Sequence, residues 1–113
     1  MDGVNREWLF RELRQSLRLL AANGVVALAG MPDGCCKPDE LALDFDNFWA
    51  AVVGNFAAEL PPELVSAHAA VDAAFGIIRD DGWSEESVRS SPEWATVRQK
   101  AGVALALLDR FES

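Results

Sequence analysis

The sequence is short of positive charge. Ten Lys and Arg stand against 18 Asp and Glu, and the formal net charge is −8. A general nucleic-acid binder needs cations to replace the phosphate counterions, and adhesion to an anionic membrane needs them too, so the composition argues against both partners. Long apolar runs are missing as well, and nothing approaches the ~18 residues of a membrane span. The opening Met1-Asp2-Gly3-Val4-Asn5-Arg6-Glu7 has no basic segment leading into an apolar run, so no secretory signal is visible. Cysteine is confined to Cys35 and Cys36. Neighbours in sequence cannot staple distant segments, which excludes a disulfide framework. These absences together predict a cytoplasmic protein.

Chemical motifs are equally sparse. A zinc site needs about four ligands, usually with a spacer between cysteines, and here the pair is adjacent and His68 is the one histidine. A nucleophilic cysteine would need that distant histidine as its base. Buried or partly exposed free thiols are the simpler reading. His68 lies in Ser66-Ala67-His68-Ala69-Ala70 and reads as a helix-surface residue. Asp44-Phe45-Asp46 resembles the nucleophile strand of aspartate-based phosphatases only in that tripeptide. The chain is too short and too helical to supply the larger α/β domain such enzymes use. The segment also fails as a calcium loop, since Phe48 stands at the fifth position and no glycine follows. There is no Gly-rich phosphate loop, no Ser/His/Asp set and no HExxH. The expectation is therefore no catalytic residue, no metal ligand and no cofactor.

What the chain does have is apolar periodicity, over 113 residues that suit one domain, 1–113. Residues 5–22 carry Trp8, Leu9, Leu13, Leu17 and Leu20 at helical spacing, with Asn5 as the N-cap and Asn23-Gly24 as a stop. Residues 25–29 (VVALA) are a short apolar run between glycines, and residues 40–45 alternate, with Leu41, Leu43 and Phe45 on one side. Period two predicts a small β-hairpin from these two segments. A single helix from Pro38 through residue 59 is the competing reading, because Leu41, Phe45, Phe48, Trp49, Val52 and Phe56 also form a helical stripe. Further helices are predicted over 47–60 (with Asp46 as N-cap), 62–79, 85–90 and 92–111, with Pro62 and Pro92 at first helical positions. The fold class is mostly α: a bundle of four main helices with the hairpin at one edge.

The remaining signal is a polarised charge pattern. From Asp33 to Glu86 there are 12 acids and two cations, Lys37 and Arg79, a balance of −10. On the hairpin, Glu40, Asp44 and Asp46 would share one strand face. Asp80, Asp81, Glu85 and Glu86 crowd a turn beside Trp83, which is the tryptophan expected to be partly exposed. Such a surface could imitate the phosphates that a basic enzyme expects, with Trp83 as an interface anchor. Acids at helix starts also complement the dipole, which accounts for Glu85 and Glu86 without a partner.

In size, acidity and absence of catalytic motifs the chain resembles immunity proteins. The leading expectation is a protein-binding inhibitor: an immunity protein or antitoxin that neutralises a basic toxin enzyme such as a nuclease by occlusion. One alternative is a structural or adaptor module that self-associates as a homo-oligomer through an apolar helix face. A second is a small enzyme using Cys35 or Cys36.

Overall fold

Most helices begin where a nearby side chain can satisfy the free N–H groups of the first turn. The computed structural model describes residues 5–34 and 36–112. The Asn5 carboxamide accepts from the Trp8 N–H and opens α1, Arg6–Ala21. The Asn23 carboxamide accepts from Val26 and opens α2, Gly24–Ala29. Pro38 sits in the first turn of α3, Lys37–Phe56, and Pro62 opens α4, Pro62–Ile77. The Ser84 hydroxyl caps α5, Glu85–Ser90, and Ser91 accepts from Trp94 at the start of α6, Pro92–Glu112. Single 3₁₀ turns at Ala57–Glu59 and Asp80–Gly82 connect α3 to α4 and α4 to α5.

The predicted hairpin is replaced by helix: among the described residues there is no strand. Leu41 and Phe45, two apart on a strand face, are also four apart on a helix, so the alternating pattern contains a helical pair. Both are buried, whereas Leu43 between them is 49% exposed. The stripe then continues through Val52, so one 20-residue helix buries what the hairpin would have split. Asp46 is accordingly an interior residue of α3 rather than an N-cap. Asn23 starts a helix where the sequence suggested only a stop. Gly24 is required there, because a Cβ would come within 2.6 Å of the Arg89 Cα and the Val88 carbonyl oxygen. The segment 25–29 is thus a short helix pressed backbone to backbone on α5.

The four long helices close a ring. α6 lies between α1 and α4, α1 packs on α3, and α3 meets α4 across the remaining side. The α4–α6 contact is close, with Ala74, Ala101 and Ala104 buried along it. Leu9, Phe10, Leu13, Leu17, Phe45, Leu64, Val71, Val97 and Leu108 fill the core. Each such side chain contributes roughly 1.5–3 kcal/mol through burial. At one end the Arg6 guanidinium lies over the Phe10 ring at 4.5 Å, with Phe56 and Phe111 beside it. At the other, Phe75, Trp83 and Trp94 interlock, and the Trp94 indole donates to the Gly82 carbonyl at 2.8 Å. No helix of the described residues is long and apolar enough to cross a membrane.

Candidate functional site, an acidic seam beside an exposed tryptophan

Helix geometry redistributes the acids that the sequence placed on one strand. Glu40 and Asp44 are four apart on α3 and share a face. Asp46, two positions on, lies about 200° round the helix from Asp44 at 3.6 residues per turn, so it leaves that group. α1 supplies a third carboxylate, Glu12, on the flank turned towards α3. Trp8 and Phe48 meet edge to face at 5.9 Å across the same seam, one helical turn away on each helix. The two helices therefore run antiparallel, with Trp8 and Glu12 on one side of the seam and Phe48 and Asp44 on the other.

The electrostatics follow from this placement. The Asp44 carboxyl is held above its ordinary value, first by partial burial and then by the negative charges of Glu40 and Glu12. Glu12 has a long contact to Arg11 at 3.8 Å. Among the described residues, neither Glu40 nor Asp44 pairs with a cation. The arginines of α1 that make firm pairs face elsewhere: Arg14 bonds Asp109 at 3.0 Å and also meets Glu112, and Arg6 reaches Glu59 at 3.4 Å. The seam is thus a patch of like charge beside an indole that is 46% exposed.

The second predicted group stays together by local geometry. Asp80 and Asp81 occupy the 3₁₀ turn, Glu85 and Glu86 the first turn of α5, and all four are exposed. Of these only Glu86 has partners among the described residues, the Ser90 hydroxyl at 2.9 Å and Arg89 at 3.5 Å. Trp83 is half-buried: its ring stacks near Phe75 at 6.2 Å and meets Trp94 edge-on at 5.5 Å. Its packing fastens the turn to the bundle.

Compared with known proteins, the chain matches no family model, no curated protein and no solved structure. The functional reading therefore rests on the molecule's own geometry.

Sequence reasoning missed the aromatic half of the seam. Helical spacing groups Trp8 with the core stripe, but it lies about 100° off Leu9 on a helical wheel, a signal that separates it from the stripe of Leu9, Leu13, Leu17 and Leu20. His68 also departs from the helix-surface position expected for it. It is fully buried, because Leu64, His68, Val71 and Phe75 form one continuous stripe that the surrounding alanines obscure. Cys36 is exposed and its thiol donates to Asp39 at 3.1 Å, while Cys35 lies outside the described residues. The His68 ring rests on Trp49, about 20 Å along α3 from Cys36 at 1.5 Å per residue, which is beyond the reach of a base acting on that thiol. Among the described residues, no three His, Cys, Asp or Glu side chains are grouped closely enough to hold a metal ion.

Proposed function

We propose that the protein is a binding inhibitor of the immunity or antitoxin type, which neutralises a basic toxin enzyme such as a nuclease by covering its active site. The observation that carries this reading is the α1–α3 seam, where Glu12, Glu40 and Asp44 gather beside the exposed Trp8. Concentrated negative charge speeds encounter with a basic surface and costs affinity for acidic ones. A half-exposed tryptophan packed on a second ring supplies rigid contact area of the kind that anchors interfaces. Asp80, Asp81, Glu85 and Glu86 form a separate charged group that extends the acidic field.

The test is co-expression with a toxin encoded by the neighbouring gene. Wild-type protein should restore growth, and the double reversal Glu40→Lys/Asp44→Lys should abolish that rescue while leaving the helical circular-dichroism signal intact. A metabolic operon in place of a toxin gene, or rescue undiminished by charge reversal, would overturn the reading. The self-association alternative draws on exposed apolar residues, but Val25, Leu43, Val53, Ile77 and Val103 are distributed over α2, α3, α4 and α6. Gel filtration separates the two, since the inhibitor reading expects a free monomer.

A further inference from the structure

We propose that His68 is an acid-sensitive joint: uptake of a proton at its Nε2 parts α3 from α4. The imidazole is 0% exposed. It lies flat against the Trp49 indole, with centroids 4.1 Å apart and planes 14° from parallel, and nearly parallel to Phe45 at 6.1 Å. Its Nδ1 is 2.8 Å from the Leu64 carbonyl oxygen, which can only accept, so Nδ1 carries the proton of the neutral ring. Nε2 then holds a lone pair, and among the described residues it has no hydrogen-bond partner. A second proton would place an N–H donor and a full charge in a buried site with no acceptor, which is the costly arrangement for a polar group.

Among the described residues, no neighbouring charge offsets that cost. The ionisable residues on the flanks facing this seam are Asp46 on α3 and Asp72 on α4, both exposed. The buried residues of α1 and α6, Leu13, Leu17, Ala101 and Ala104 among them, carry no ionisable group, and the Ser16 hydroxyl is the buried polar group on α1. Burial is accordingly the leading influence on His68 and lowers its proton affinity, opposed by the hydrogen bond to the Leu64 carbonyl. The protonated ring must reach water, and it is fixed to α4 and covered by a ring of α3. Those two backbones approach each other closely at few points, and aromatic side chains fill the space between them. Separation of α3 and α4 is therefore the shortest route to solvation.

The chain has one histidine, so its ring gives a single NMR signal whose titration can be followed without assignment. Amide exchange, corrected for the intrinsic effect of pH, should be measured from pH 7.5 to 4.5 in wild type and in His68→Phe. His68→Gln serves as a second non-titrating variant if the first does not fold. The expected result is a ring that stays neutral below pH 6.5 in the folded protein. Opening of α3 and α4 amides should rise by up to about tenfold per pH unit below 6.5, as linkage to one proton requires. The variant should lack this acceleration; in wild type it should appear in α3 and α4 amides that open below the global unfolding free energy, while α1 and α6 amides gain only what acid takes from global stability. A ring that titrates near 6.5 without faster exchange, α3 and α4 amides that open only together with the whole molecule at every pH, or the same acid response in the variant would each overturn the proposal.

Discussion

At the scale of single residues, Trp8 and Asp44 separate binding from stability. Trp8 is half-exposed, and its edge-to-face contact with Phe48 is of a kind worth about 0.5–1.5 kcal/mol. Trp8→Ala should therefore lower unfolding free energy by about that much in denaturant titration, while weakening a docked partner by about 2 kcal/mol, some thirtyfold in Kd, by calorimetry. Asp44 carries a charge that its site disfavours. Its folded-state pKa is raised above 3.8, so the folded protein takes up this proton more readily than the unfolded chain. Asp44→Asn is expected to raise stability at pH 7 and to change it little below pH 3.8, where both states of wild type are already protonated. The presence of Asp44 was legible in the sequence, but its neighbours were not, because Glu12 is brought to it only by packing of α1 on α3.

At the scale of elements, the starts of α1, α4, α5 and α6 were legible in local signals, whereas those of α2 and α3 were not, and non-local packing decided that segment. Asn5, Ser84, Ser91, Pro62 and Pro92 act within one helical turn, so the starts they mark could be placed from neighbours in the chain. The segment from Val25 to Phe45 could not. Leu41 and Phe45 satisfy both a period of two and a spacing of four, and the choice depends on how much else a long helix can bury. Val52 and the partly buried Phe48, Trp49 and Phe56 tip it towards α3. α2 owes its place to Gly24 and the α5 backbone, a contact between residues more than 60 positions apart. Gly24→Ala should destabilise the fold by about 1–3 kcal/mol, because the methyl meets backbone atoms that cannot swing aside. Urea unfolding would measure the loss, and a variant within 0.5 kcal/mol of wild type would show that α2 can shift away from α5 at little cost.

At the scale of the molecule, charge and burial set how stability responds to acid. His68 is neutral in both folded and unfolded states well above pH 6.5 and contributes no slope there. As pH falls below 6.5 the unfolded chain binds a proton that the folded protein refuses, so stability declines until the lowered folded-state value is passed. Asp44 has the opposite sign, adding stability as pH falls through its raised folded-state value towards 3.8. The expected profile is a decline that begins near pH 6.5 and is partly offset at the acid end, measured by thermal unfolding across pH. Asp44→Asn should remove the offset without moving the onset. Salt acts on a different quantity: the association rate with a basic partner should fall steeply between low and physiological ionic strength, since the Debye length shortens to about 8 Å at 0.15 M.

The starts of α1, α4, α5 and α6, their apolar stripes and the excess of negative charge were determined by the sequence alone, because capping, periodicity and net charge depend on residues close together or on a simple sum. Which acids meet, which tryptophan faces solvent and how deeply His68 is buried were decided only when the helices packed. Those properties belong to pairs of surfaces, and the antiparallel register of α1 on α3 and the aromatic filling between α3 and α4 are written in no single segment of the chain.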